Sequence, residues 1–389
     1  MTTAGHVVYL DHQATTPLDP RVLDAMMPYL TSDYGNPSSP HAYGHTAAAA
    51  VRTARRQLRD LLGASSDTEI IFTSGATEAD HLAITGIATA LRDAGNHVIT
   101  TAIEHKAVLA ACQHLASAGF QVTVLPVGLD GLVRPADVAA AITPSTVLVS
   151  VMHANNEIGT IQPLAEIGQI TRDRGVLLHT DAAQSLGTVP FNVDHLGVDL
   201  ASFSGHKFYG PKGTGALYLR RGIIRPAPQL TGGGQEYGLR AGTLNVPGIV
   251  GIGHAASLLA AQRQVDARRI AGLRDQLLTA LRQTLPGIAV NGSLTRRLPG
   301  NLSITIPGTD AGQLIGQLSG LAISTGSACS TGQAEPSHVL TAIGLSRAAA
   351  RASIRIGLGR NTTLRDILAT TEQIAAAVTS QRPKVRQHS

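Results

Sequence analysis

A chain of 389 residues, 43% of them hydrophobic, carries enough apolar material for more than one core and suits two domains. Five Phe, seven Tyr and no Trp supply no platform for stacking bases, so direct nucleic-acid binding is not expected despite a formal charge of +5 and a pI near 9.5. Two cysteines build no disulfide framework and point to a reducing compartment; no apolar run reaches the ~18 residues of a membrane span and no basic-then-apolar N-terminal signal is present, so a cytoplasmic protein is expected.

In chain order, strand-like runs lie near Ile70, Val98, Val122, Leu148, Leu177, Leu200 and Leu217, with amphipathic helical stretches between them. That alternation predicts an α/β fold, a mainly parallel seven-stranded sheet with helices on both faces. After Gly253 the pattern shifts to a long Ala/Leu/Arg-rich helix, His254 to Leu285, and then to the alternating segment Asn301 to Ile306. These predict a smaller α+β domain made of 1–15 and 254–389, set against a large domain of 16–253. Cys112 falls in the helical run Ala107 to Leu115 and reads as a packed core residue, and the basic tail Gln381 to Ser389 as disordered solubilising sequence. His41 and His45 have helical ligand spacing but sit in a segment expected to form helix poorly, so no metal is expected.

Polar residues collect where the strand-like runs end, the edge at which open α/β sheets bind ligands. Ser204-Gly205-His206-Lys207 follows one run and is where a Schiff-base lysine would sit. Asp181 closes another and would need a cationic partner, such as a protonated pyridine nitrogen. Gly75-Ala76-Thr77 joins a strand to a helix N-terminus suited to an anion. His105 and Asn156 follow two more runs and could lie over a flat ring and bond its phenolic oxygen. Each has a plainer reading when taken alone: a solvated loop lysine, a helix N-cap for Asp181, an ordinary strand–helix turn, a surface histidine, an Asn-Asn turn.

Cys329 sits in Ser324-Thr-Gly-Ser-Ala-Cys-Ser-Thr-Gly-Gln-Ala334, where everything but the thiol is small or polar. Such a segment offers no apolar face to bury the thiol and reads as a mobile loop carrying a nucleophile; the alternative is a buried structural cysteine.

With Tyr9-Leu-Asp-His-Gln-Ala-Thr-Thr-Pro17, Gly35-Asn-Pro-Ser-Ser39, Phe72-Thr-Ser-Gly-Ala-Thr-Glu78, Glu104-His-Lys-Ala-Val108, His153-Ala-Asn-Asn-Glu-Ile-Gly159, Ser204-Gly-His-Lys207, Gly232-Gly-Gly-Gln-Glu236, Arg240-Ala-Gly-Thr243 and Gly326-Ser-Ala-Cys329 in order, the chain resembles the cysteine desulfurases. These belong to the class V branch of the fold-type I pyridoxal-phosphate enzymes. The resemblance runs from about residue 8 to about residue 375.

It implies that Lys207 carries pyridoxal 5'-phosphate, that Asp181 pairs with its pyridine nitrogen, and that His105 stacks on the ring and shuttles protons. Gln184 and Asn156 would contact the phenolic side, and Ala76, Thr77, Ser204 and His206 would bind the phosphate, joined by Thr243 of a neighbouring subunit in a homodimer. Arg355 would clamp the substrate carboxylate together with Asn156, and Cys329 would take sulfur from L-cysteine as a persulfide for a sulfur-acceptor or scaffold protein. The Ser324–Pro336 segment has the longer form that serves scaffold proteins. Iron–sulfur cluster assembly, tRNA or cofactor thiolation and DNA phosphorothioation are all open as destinations.

Two departures lie near the expected site: His12-Gln13 replaces the common Asn-Asn, and Ala79-Asp80-His81 replaces the frequent Ser-Asn-Asn. A selenocysteine lyase or another class V aminotransferase would share Lys207 and Asp181 without needing Cys329. A non-catalytic sulfur-assembly adaptor would keep only the fold.

Overall fold

The computed structural model describes residues 7–325 and 336–382. The strands are β1 (Val8–Tyr9), β2 (Ile70–Thr73), β3 (His97–Thr101), β4 (Gln121–Leu125), β5 (Thr146–Ser150), β6 (Leu177–Asp181), β7 (Leu200–Ser204), β8 (Gly215–Leu219), β9 (Ala289–Val290), β10 (Asn301–Thr305), β11 (Leu321–Ala322) and β12 (Ser353–Gly357). Seven of them form one sheet in the order β2-β8-β7-β6-β5-β3-β4, parallel throughout except that β8 runs against both β2 and β7. Except for the edge strand β4 and Leu177, every residue of these strands is buried, as expected of a sheet covered on both faces. Alternate side chains feed two cores: Phe72, Ile99, Val149, Leu178 and Phe203 on one face, Ile71, Val98, Leu148, Leu200 and Leu217 on the other.

A third core joins Val8 and Leu10 to β10, β12 and the helix Leu364–Gln381. The helix Val246–Thr284 serves two cores, with Ile249, Ile252 and Leu259 in the sheet core and Ile270, Leu277 and Leu281 in the third. It begins eight residues before the start at His254 expected from the pattern, because its first turns are masked by Pro247 and three glycines. Pro at the first turn loses no helical bond. Gly251 and Gly253 are contact points: a β-carbon would stand 2.7 Å from the Met26 sulfur at Gly251 and 2.5 Å from the Ala54 Cα at Gly253.

A second correction concerns His41 and His45. The segment expected to be a poor helix former opens the helix Ala42–Leu62, with the His41 Nδ1 accepting the Gly44 N–H at 3.3 Å as its N-cap. Among the described residues no group of three His, Cys, Asp or Glu could hold a metal ion, and no helix is long and apolar enough to cross a membrane. Cys112 is packed in the core beneath β3.

Candidate active site

The carboxyl ends of β2, β3, β5, β6 and β7 converge on one cavity of about 460 Å³. β3 and β5 lie side by side where the strand order reverses, the place at which an open sheet leaves a crevice. Ala76, Thr77, His105, Asn156, Asp181, Gln184, Ser204, His206 and Lys207 all line it.

One wall is the start of the helix Ala76–Ala90. Its N-cap is Gly75, with no side-chain cap, so its first N–H groups remain available to an anion. A β-carbon on Gly75 would meet only the Ser204 hydroxyl, at 3.8 Å, whereas one on Gly215 would strike the Gly75 Cα at 2.5 Å. The glycine pair therefore lets strand β8 press against the turn. Glu78 accepts the Ser74 N–H at 2.8 Å and the Arg240 Nε at 2.8 Å, which fixes both the turn and the loop leading to Thr243.

Asp181 ends β6 and is buried, with one carboxylate oxygen accepting the Ala183 N–H at 2.9 Å. Burial raises its pKa, opposed by that bond and by the charges of His105 and Lys207. Among the described residues no cationic side chain forms an ion pair with it. A buried carboxylate in that position calls for a cation from a ligand.

Lys207 ends the short turn Gly205–Lys207 after β7 and donates from Nζ to the Gln13 carbonyl at 2.6 Å and the Ala14 carbonyl at 2.9 Å. Burial, reinforced by Arg355, lowers its pKa to about 8, which makes it a usable nucleophilic amine. Gln184 Nε2 donates to the same Gln13 carbonyl at 2.9 Å. The departure at His12-Gln13 thus leaves the contact to Lys207 intact, because that contact is main chain. The larger side chains are accommodated by Gly357 and Gly359, where a β-carbon would fall 1.9 Å from Gln13 Oε1 and 2.0 Å from the His12 ring.

His105 caps the helix Lys106–Ser117, its Nδ1 accepting the Ala107 N–H at 3.2 Å. An accepting Nδ1 places the neutral ring's proton on Nε2, and burial lowers the pKa and favours that neutral form. The preceding Glu104 is fully buried and takes the Met152 N–H at 3.0 Å and the Thr101 hydroxyl at 2.7 Å; burial pushes its pKa up to about 8. It ties the His105 turn to β5. His206 bonds Thr15 Oγ1 through Nδ1 at 3.0 Å, and burial, reinforced by Lys207 and Lys212, lowers its pKa to about 4.

Arg355, on β12, stands at the edge of this group. Its Nη1 donates to the Asn156 carbonyl at 3.0 Å and its Nη2 to Asp11 Oδ1 at 2.7 Å. Thr243 is exposed and does not line the cavity, and Cys329 lies outside the described residues. Lys212, at the rim, lines the cavity and was missed from the sequence; its one signal is the Pro211-Lys212-Gly213 turn just before β8.

The residues present fit pyridoxal phosphate: an anion-receiving helix start, an amine with a lowered pKa and a buried acid without a protein cation surround one cavity of suitable size. Comparison with known proteins agrees. The aminotransferase class-V family model matches residues 8–369. The cysteine desulfurase IscS of Anaeromyxobacter dehalogenans (strain 2CP-C) is 50% identical over 362 residues, 92% of this chain and 89% of that protein. Among solved structures, a NifS-like protein superposes with a TM-score of 0.90 at 37% identity, covering 96% of this chain and 100% of that one. SspA in complex with cysteine superposes with a TM-score of 0.79 at 38% identity, covering 92% and 100%. The chain belongs to the class V aminotransferase family, among its pyridoxal-phosphate-dependent cysteine desulfurases.

Proposed function

We propose that this cavity converts L-cysteine to L-alanine and that the sulfur leaves on Cys329 as a persulfide. The observation that carries the reading is the convergence of Lys207, Asp181, His105 and the uncapped helix start at Ala76 on one cavity. Lys207 would hold the cofactor, Asp181 its ring nitrogen, Ala76, Thr77, Ser204 and His206 its phosphate, and Gln184 and Asn156 its phenolic side. When bound, the cofactor supplies an electron sink for charge developing at the substrate's α-carbon.

Arg355 takes the substrate carboxylate and orients the α-carbon toward Lys207. Lys207, neutral above about pH 8, removes the α-proton at Nζ. His105, with its proton on Nε2, would shuttle protons to and from the substrate thiol, giving up the Nε2 proton before that atom takes another. The Cys329 thiolate attacks the substrate sulfur, the carbon–sulfur bond breaks, and alanine leaves after protons return to its carbon skeleton. The persulfide then goes to an acceptor protein, and an iron–sulfur scaffold is the class we favour from the length of the Ser324–Pro336 segment.

The same reading makes the active form a homodimer in which Thr243 of one chain completes the phosphate site of the other, places the protein in a reducing cytoplasm, and assigns 16–253 to the cofactor domain. The test is alanine and persulfide formation from L-cysteine by the purified protein and by Cys329→Ala, both checked for cofactor absorbance. Product from the wild type alone, with both proteins yellow, supports the reading. Equal product from both would move the reaction to a lyase that does not use Cys329.

A further inference from the structure

Beneath the cavity lies a polar cluster that these steps do not use. Asp80 projects from the helix Ala76–Ala90 onto the face of the sheet that carries Ser150, His179 and Ser202, and its side chain and that of His179 are 0% exposed. His179 Nδ1 lies 2.9 Å from Ser150 Oγ and its Nε2 lies 3.0 Å from Ser202 Oγ; Asp80 Oδ1 stands 3.6 Å from the same Nε2. His179 precedes Asp181 by two residues on β6, and Ser202 is the register partner of Asp181 on β7, so the cluster continues directly into the floor of the site.

Neither oxygen of Asp80 makes a hydrogen bond of ordinary geometry, and the Ser202 hydroxyl is the side-chain group near enough to interact with it. The ionisable groups facing it are the carboxylates of Asp181 and Glu104 and the imidazole of His179. Burial holds that imidazole neutral, with its pKa lowered to about 3, so it offers Asp80 no positive charge. Two carboxylates in one dry site do not both ionise without a cation, and only Asp181 opens onto a cavity where a ligand can bring one. The acid at position 80 also stands where the resembling family often has the amide Asn, a neutral side chain of the same shape.

We propose that Asp80 is carried in the folded enzyme as an un-ionised carboxylic acid, its proton directed at the Ser202 hydroxyl oxygen, whose own hydrogen goes to His179 Nε2, so that the negative charge at the floor of the site is left to Asp181. Asp80 is then a positioning residue: it does an amide's work, fixes the neutral His179 ring through Ser202 with the ring's one proton on Nδ1, and keeps the field at Asp181 suited to a protonated ring nitrogen. This rests on the pairing of Asp181 with the cofactor.

Infrared spectra of the holoenzyme at pH 8, in water and heavy water, test it with Asp80→Asn and, as control for the buried acid Glu104, Glu104→Gln. The expected result is a protonated-carboxyl stretching band that shifts with deuteration, persists in Glu104→Gln and disappears in Asp80→Asn. Asp80→Asn should keep the wild-type cofactor absorbance and its pH midpoint, whereas Asp80→Leu, which lacks the donor, should shift that midpoint. Should Asp80→Asn fold poorly, Asp80→Ser removes the same band. A band unchanged in Asp80→Asn or Asp80→Ser overturns the proposal, as does a cofactor spectrum altered equally by Asn and Leu. If Asp181→Asn left the cofactor spectrum unaltered while the Asp80 band persisted, the pairing reading would fall and the protonation state would stand.

Discussion

Arg355 and Asp11 form an ion pair at 2.7 Å that links β12 to the N-terminal segment, with the Arg355 side chain 5% exposed. The Asn156 carbonyl holds a second corner of the same guanidinium, so the group is held in one orientation. Binding a carboxylate there needs little further ordering of a long side chain. Truncating one partner of a buried charge pair costs about 2–5 kcal/mol. Arg355→Ala should therefore raise KM for L-cysteine by ~30-fold or more while cofactor absorbance is retained. Steady-state alanine formation measures this, and an unchanged KM would remove Arg355 from the substrate site.

Lys207 makes a pH prediction for uptake of the cofactor. Its amine reacts with an aldehyde only when neutral, and burial brings the pKa down from 10.5 to about 8. Since the lowered value enlarges the neutral fraction, the rate at which cofactor-free protein takes up pyridoxal phosphate should rise with pH and level off above about 8. Below that point it should fall about tenfold per pH unit. Stopped-flow absorbance from pH 6 to pH 10 reads it, and a midpoint near 10.5 would contradict the burial of this amine.

Thr243 tests the shared site. It is exposed in the single chain, on the loop held by the Arg240–Glu78 pair. If it completes a neighbour's phosphate site, Thr243→Asp should repel the phosphate and lose cofactor, and Lys207→Ala should be inactive. Mixing the two under exchange conditions should restore activity, because each heterodimer rebuilds one site from Lys207 of one chain and Thr243 of the other. Absence of recovery, with heterodimers demonstrated by mass, would place Thr243 outside the site.

The seven strands of the large sheet were legible because buried strands read as continuous apolar runs, and the residues gathered at their ends were legible because ligand chemistry concentrates there. What escaped has a physical reason in each case. The reversed direction of β8 leaves no trace in a run apolar on both faces. The helix start at Val246 hides behind glycines whose use is close packing against Met26 and Ala54. The grip on Lys207 comes from two main-chain carbonyls, which any residue type supplies. His179 reads as an ordinary strand residue, and Asp80 only as a departure from the family pattern, until the fold buries them together.

The Gly232-Gly-Gly-Gln-Glu236 motif, read in the sequence only as part of a resemblance, has a structural use that yields the last prediction. Glu236 meets Arg55 at 2.6 Å, the side chains 1% and 8% exposed, and also accepts the Phe72 N–H at 2.7 Å beside the strand that leads into Gly75. Arg55 in turn donates to the Ile70 carbonyl and lies 4.7 Å over the Phe72 ring. Glu236 and Tyr237 hold left-handed backbone, at φ 47° and 58°, so the pair fastens a strained loop to β2. Removing one partner leaves a buried charge unmatched, and Glu236→Ala should lose about 3–5 kcal/mol of stability. The double variant Arg55→Met with Glu236→Leu should lose less than Glu236→Ala, because no charge is then stranded. Urea unfolding of the three proteins decides it: equal losses in the single and double variants would mean that packing, and not the stranded guanidinium, sets the cost.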